Sequence, residues 1–365
     1  MRGERIFVDG AVVSWAEEGT GVPVVMGARR VSSRAMLVAV TSPAEFASTD
    51  LHVRHVLVPL DGSELALQAL PTARVLAERF RAQLHTISVA GADDDAHHLR
   101  ALASAALGVA VGDDRALVVT GGEAAEMIAR RAGELDSCVV CLSTHGRGRL
   151  GGALVGSVAR SVLQRSSDPI VALGPSADNP GWTPRPRRWP DPLSVPRIVA
   201  CLDGSHTSEQ VLPTAATWAR ALRMSMTIVT VVDDAPAPLR VEREPSRYGS
   251  DGDAEGYLQA LVKQWSGTVA DIDAEVIRDP IGPASGLRVH LDQRPAGLLA
   301  LTTHARSGMK RALLGAAAAS IVHASVAPCL VAPGAGVTTR FGRESVRPRI
   351  RPPDPQYGDD ALQEP

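Results

Sequence analysis

Gly146, Gly156 and Ser157 fall within STHGRGRLGGALVGSVARSVLQ, residues 143–164, where a loop rich in glycine and arginine runs straight into a helical pattern. These residue types in this order suit the binding of an anion. Glycine has no Cβ, so the backbone can approach an oxyanion closely and positive φ is allowed. The first-turn amides of a helix have no intrahelical acceptor and carry the positive end of its dipole. The amides of Gly156, Ser157 and Val158 are therefore predicted to face a phosphate, with the Ser157 hydroxyl as a further donor. Arg147 and Arg149 are placed to screen its charge. Asp61, in Pro59-Leu60-Asp61-Gly62-Ser63, is an acceptor for a base or a ribose, and Val89 offers backbone groups to a purine edge.

Other reactive residue types have structural readings. Asp61-Gly62-Ser63 also reads as a turn followed by a helix N-cap at Ser63. Nothing near His145 pairs with it as a triad, so it is expected to act through its backbone or to pack at the base of the loop. Cys138 and Cys141 have CxxC spacing but lie in an apolar run, which sends their side chains to opposite faces of a strand. Asp93-Asp94-Asp95 with His97-His98 reads as a solvated helix start rather than a metal site. Lysine occurs only at 263 and 310, so no Walker-type lysine serves the first half.

The elements that must position these residues come from a duplication. VLVPLDGSELALQALPTA (56–73) matches IVACLDGSHTSEQVLPTA (198–215) at an offset of 142, and residues 143–173 match 302–332 at an offset of 159. Copy two is thus 17 residues longer, with the excess assigned to 233–253. In copy one, apolar runs at 55–60, 84–89, 115–119, 137–142 and 169–173 alternate with helical patterns at 63–81, 94–108, 122–134 and 154–166. Copy two repeats this, with runs at 197–202, 225–232, 270–277, 297–302 and 328–332. Its helical patterns fall at 205–222, 253–266, 282–294 and 312–324. The runs are uniformly apolar, which suits strands buried on both faces, and the alternation predicts a parallel, doubly wound α/β sheet in each copy. Ligands of such sheets sit beyond the carboxyl ends of the strands, where the strand order reverses.

Outside the copies, residues 1–53 form an N-terminal extension whose Asp9-Gly10 suggests a small hairpin. Residues 175–195 are a proline-rich linker, and 334–365 are expected to be disordered. Composition is that of a globular protein, 45% apolar and 21% charged, with aromatics at only 3%, so the cores must be aliphatic. A net charge of −2 gives no general attraction to nucleic acid or anionic membrane. Four cysteines do not form a secreted disulfide framework, and neither a membrane span nor a signal peptide is apparent. A cytoplasmic location is expected.

Both copies resemble the universal stress protein domain, over residues 54–174 and 196–333. The resemblance rests on G-x2-G-x9-G-[ST], which reads Ser143, Gly146, Gly156, Ser157 in copy one, and on Pro59-Leu60-Asp61-Gly62-Ser63 after the first strand. It implies two tandem five-stranded parallel sheets of order 3-2-1-4-5 forming a pseudo-dimer. It also implies ATP as ligand, with Mg²⁺ in many members, and a role in stress response or dormancy. Carried over by position, adenosine would meet Pro59, Asp61, Val89 and the Ser143 backbone, and the phosphates Gly146, Gly156, Ser157 and Val158.

Each copy departs from the family marker. Copy one has Ser143 at the first glycine, a side chain that narrows the ribose site. Copy two has Thr302, Ala305 and Ala316 at marker positions and Cys201 for the strand-one proline, keeping only Asp203, Val231 and Gly315. Alanine where glycine takes positive φ costs about 1 kcal/mol. Charge-assisted hydrogen bonds are worth about 1.5–3 kcal/mol each, so losing two or three removes most of the ~8 kcal/mol of micromolar binding. Copy two is therefore expected to be a degenerate site. No base is placed to activate water, so any ATP hydrolysis should be slow. A nucleotide-free interaction scaffold of the same fold is the alternative, and Ser143 is the feature that favours it. Pairing of the two copies through their fifth strands is expected, and a homodimer of whole chains is compatible with the resemblance.

Overall fold

The computed structural model describes residues 4–8, 11–18, 22–30, 51–92, 95–145, 155–166, 168–177, 197–233, 251–303 and 314–333. The chain divides into two compact units, Met1–Ser42 and Pro43–Pro365. In the first, strands β1 (Glu4–Val8), β2 (Ala11–Glu18) and β3 (Val22–Arg30) form an antiparallel sheet in chain order. The expected hairpin pairing, Val8 opposite Ala11, is therefore extended by a third strand.

In the second unit, copy one contributes β4 (His55–Pro59), β5 (Gln83–Ala90), β6 (Ala116–Thr120), β7 (Cys138–Ser143) and β8 (Ile170–Leu173). Its helices are α1 (Glu64–Leu67), α2 (Ala69–Phe80), α3 (Ala96–Leu107), α4 (Ala124–Glu134) and α5 (Ser157–Arg165). Copy two contributes β9 (Arg197–Leu202), β10 (Ser225–Asp233), β11 (Ile272–Asp279), β12 (Leu298–Thr302) and β13 (Cys329–Ala332). Its helices are α6 (His206–Glu209), α7 (Val211–Leu222), α8 (Asp251–Trp265), α9 (Pro283–Gln293) and α10 (Ala316–Ala324).

Each predicted helix after a first strand is split in two. Pro71 and Pro213 lack the N–H that would continue the ladder, and their rings clash with the carbonyl four residues back. Those carbonyls belong to Leu67 and Glu209, where α1 and α6 end. The next helix starts after Gln68 or Gln210 and ends on an arginine in the left-handed region, Arg81 at φ 55° and Arg223 at φ 56°.

The ten strands of this unit make one sheet, β11-β10-β9-β12-β13-β8-β7-β4-β5-β6. Within each copy the order is 3-2-1-4-5 and all pairings are parallel. At the centre β13 and β8 are antiparallel, with Cys329, Leu330 and Val331 opposite Ala172, Val171 and Ile170. Every residue of these two strands is at most 2% exposed. The outermost strands β6 and β11 are only partly buried, so two-sided burial holds for the central strands and weakens toward the rims.

Helices cover both faces. One core, running through both copies, includes Val56, Leu76, Val171, Ile198, Leu212 and Trp218. Trp218 is 1% exposed and meets Phe80 of the other copy edge-on, at 5.5 Å between ring centroids. The opposite core includes Leu57, Ile128, Val140, Val162, Leu299 and Val322. Cys138 belongs to this second core and Cys141 to the first, as their spacing along a strand requires. Burial pushes the Cys138 thiol up to about 12 and the Cys141 thiol higher still, so both are inert core residues. Among the described residues no helix is long and apolar enough to cross a membrane. The expected disordered tail at 334–365 and, from residue 178 on, the expected proline-rich linker at 175–195 lie outside the described residues.

Candidate functional site

In copy one the strand order reverses between β4 and β7, which pair directly with each other. At their carboxyl ends lies a cleft of about 300 Å³, at the lower end of the range for small-molecule sites. Of the nine positions named from sequence, seven line it: Pro59, Asp61, Val89, Ser143, Gly156, Ser157 and Val158. Gly146 and Arg147 lie outside the described residues, as does Arg149. The apolar lining comes from Val89 together with Ile87 on β5 and Ala124 and Ile128 on α4, the last three being residues the sequence did not single out. Ala124 and Ile128, four apart on one helix, face the strands together. That periodicity is the signal that could have found them.

The two strand ends are held rigidly. Asp61 Oδ1 accepts from the Ser63 amide at 2.9 Å and from the Ser63 hydroxyl at 2.6 Å. Ser63 Oγ in turn accepts the Ala66 amide at 3.1 Å, capping α1. The turn-and-cap reading of this motif therefore holds, and the cap presents Asp61 to the cleft. Copy two repeats the arrangement with Ser205, Asp203 and Ser208. The Asp95 carboxylate likewise accepts from the amides of His97 and His98, so it caps α3.

The helix terminus at the cleft differs from the sequence expectation in two respects. Gly156 has φ −62° and ψ 158°, an extended conformation open to any residue, so positive φ is not why glycine stands there. The reason is proximity, since a Cβ at 156 would lie 2.9 Å from the Thr144 carbonyl oxygen. The Gly156 amide also donates to that carbonyl at 2.8 Å, so it is not directed at an anion. The first helical bond runs from the Arg160 amide to the Gly156 carbonyl. The amides left without an intrahelical acceptor are those of Ser157, Val158 and Ala159. The amides open at this helix terminus thus lie one residue further along the chain than expected. Ser143 does not block the cleft, because its hydroxyl turns back to donate to the His145 carbonyl at 2.9 Å.

In copy two, Gly315 has the same extended backbone, φ −62° and ψ 160°, and Ala316 is the first residue of α10. Ala316, which stands at the Ser/Thr position, begins the helix without backbone strain, and Ala305, the alanine at a marker glycine for which the positive-φ penalty is expected, lies outside the described residues. The differences lie in packing. Thr302 Oγ1 donates to the Thr207 carbonyl at 3.3 Å, tying the end of β12 to α6. Val231, the counterpart of Val89, is 8% exposed, against a half-buried Val89. The space where a Gly286 Cβ would stand lies 3.1 Å from Val231 Cγ1, so α9 presses on the position that Val89 keeps open in copy one.

A family model for the universal stress protein family matches residues 52–173 and 195–333. The chain belongs to the universal stress protein family. Among curated members, universal stress protein Rv2005c of Mycobacterium tuberculosis is 28% identical over 196 residues, 53% of this chain and 61% of that protein. Universal stress protein Mb2028c of Mycobacterium bovis gives the same figures. The alignment thus spans about three-fifths of the length of these relatives. A solved universal stress protein from Archaeoglobus fulgidus shares the fold, with a TM-score of 0.50 at 15% identity over 76% of this chain and 98% of that one. This universal stress protein fold accounts for the order 3-2-1-4-5 in each half.

Proposed function

We propose that copy one binds an adenine nucleotide, ATP with Mg²⁺, and that the chain regulates a stress response through its occupancy. The observation that carries this reading is the convergence of Pro59, Asp61, Val89, Ser143, Gly156, Ser157 and Val158 on one cleft at the strand-order reversal. Its apolar side, Ile87, Val89, Ala124 and Ile128, suits the faces of a purine, and Asp61 is an acceptor for ribose hydroxyls. The amides of Ser157, Val158 and Ala159, with the dipole of α5 behind them, suit phosphate oxygens. Glycine at 156 fits this reading, because a side chain there would collide with the cleft floor. Among the described residues no group of three His, Cys, Asp or Glu could hold a metal. Mg²⁺ would therefore come largely coordinated by phosphate and water, as is usual for this ion. The closer packing over Val231 supports copy two as a partner domain without nucleotide, and the antiparallel register of β8 with β13 supports an internal pseudo-dimer.

The test is isothermal titration of the whole chain with ATP and Mg²⁺, together with analysis of nucleotide released by heat from the purified protein. Micromolar or tighter binding supports the reading. The scaffold alternative draws on the Gly156 amide, which the sequence reading gave to a phosphate and which is spent on Thr144. Absence of both bound nucleotide and titration heat would establish that alternative.

A further inference from the structure

His145 lines the cleft of copy one, and its ring meets that of His323 from copy two edge-on, with 5.3 Å between centroids and 65° between planes. His323 is in the last turn of α10, which lies against β8 of the other copy. The approach is close, since a Cβ on Gly174, the residue after β8, would overlap the Val322 carbonyl. The second copy therefore reaches the rim of the first copy's cleft through one aromatic side chain.

His145 is bonded to the cleft floor. Its Nδ1 lies 3.0 Å from Thr144 Oγ1, which donates to the Leu173 carbonyl at 3.1 Å. The Thr144 amide donates to the same carbonyl at 2.8 Å, and the Thr144 carbonyl receives the Gly156 amide at 2.8 Å. The His145 carbonyl receives the Ser143 hydroxyl. A push on the His145 ring is thus passed within two bonds to Ser143, Thr144 and the start of α5. His323 makes no polar use of its inner nitrogen, because Nδ1 is buried without a hydrogen-bond partner. An orphaned ring nitrogen is a cost, so the ring is there for its shape.

We propose that His323 of the second domain is a positioning residue for the nucleotide site of the first, holding His145 and through it the Ser143–Thr144–Gly156 floor. The proposal rests on copy one being the nucleotide site, and it makes the degenerate domain a structural part of that site. The two copies differ in residue type at this position. The 159-residue offset puts Gln164, which has no ring, at the position matching His323. The intact marker thus receives the aromatic support, and the altered marker is matched with a glutamine.

The test uses the whole chain with His323→Ala and His323→Phe. Phe keeps the ring and removes the orphaned nitrogen. In nucleotide-free protein, hydrogen exchange in peptides covering 143–145 and 155–158 should rise about tenfold in His323→Ala and stay near the parent value in His323→Phe. Affinity for ATP with Mg²⁺ should fall about tenfold in His323→Ala and recover to within about twofold in His323→Phe. Unchanged exchange and affinity in His323→Ala would overturn the inference. So would failure of Phe to rescue, or faster exchange spread equally over 170–173 and 329–332, since either marks a general loss of domain contact. If the parent itself does not bind ATP while exchange at 143–145 follows the expected pattern, the nucleotide reading fails and the positioning role stands.

Discussion

The Gly156 amide donates to the Thr144 carbonyl at 2.8 Å, and a Cβ on Gly156 would sit 2.9 Å from the same oxygen. The end of β7 and the start of α5, twelve positions apart in sequence at these two residues, are thus locked at a separation that no side chain tolerates. Gly156→Val should abolish ATP binding, because the branched side chain forces α5 away from β7. The fold should survive with a loss of about 1–3 kcal/mol, typical of overpacking a tight site. Titration calorimetry and denaturant unfolding check the two parts separately, and a variant that binds ATP like the parent would refute the assigned floor.

Nucleotide stoichiometry should be one per chain. Copy one keeps Val89 half-buried and open to the cleft, whereas copy two buries Val231 beneath α9. Native mass spectrometry of the chain with ATP should show a single added nucleotide at saturation. Two equivalent sites would disprove the assignment of copy two as degenerate.

Val171→Pro should weaken the junction of the two halves. Val171 pairs with Leu330 on one side and Cys141 on the other and is fully buried. Proline removes its donor and cannot fit a central strand, at about 3 kcal/mol or more. Limited proteolysis should then cut between the copies, within 178–196, faster than in the parent. Equal rates would mean that β8 and β13 are not paired in solution.

Stability should fall in acid through a histidine pair on the neighbouring strands β4 and β5. His55 Nδ1 lies 2.9 Å from His85 Nε2, and His85 Nδ1 is buried without a partner. Burial first, and then the neighbouring His55 and Arg131, lower the His85 value to about 4; Asp114 opposes them and Arg115 adds to them. Burial also lowers His55, against the pull of Asp136. The unfolded chain therefore takes up these protons more readily than the folded one. The stabilisation is complete above about pH 6.5 and is lost as pH falls through about 4, amounting to ~2–3 kcal/mol for His85. Melting at pH 7 and pH 4.5 should show this loss, and His85→Leu should reduce it.

Arg197 should matter far more than its surface relatives. It is 8% exposed and donates to the Pro295 carbonyl at 3.1 Å and to Thr227 Oγ1 at 3.2 Å, with further bonds to the Arg294 carbonyl and His290. Arg197→Ala strands these buried acceptors and should cost about 3 kcal/mol in denaturant unfolding. Arg54, whose ion pair with Asp136 leaves the two side chains 69% and 70% exposed, should be replaceable by Ala within experimental error.

The duplication, the strand–helix alternation and the cleft-lining types were all legible in the linear chain, because each is a local signal. A period of burial, a cap at Ser63 and a glycine before a helix need only neighbours in sequence to be recognised. The split of the first helices departs from the single helical stretches expected at 63–81 and 205–222, although its cause, Pro71 and Pro213, stands in the sequence. What the sequence could not decide depends on distance between segments. Glycine at 156 looked like a requirement for positive φ, but the cause is the Thr144 carbonyl, brought beside it only when β7 and α5 pack. The same contact consumed an amide that a local reading had assigned to an anion. The open site at Val89 and the covered one at Val231 follow from how closely a helix approaches a strand, which a single glycine at 286 sets in copy two. His145 and His323 are 178 positions apart and meet only because two edge strands pair antiparallel and carry α10 across the junction. Periodicity and capping are written in the chain, whereas the reach of one domain into the other's cleft exists only once both have folded and joined.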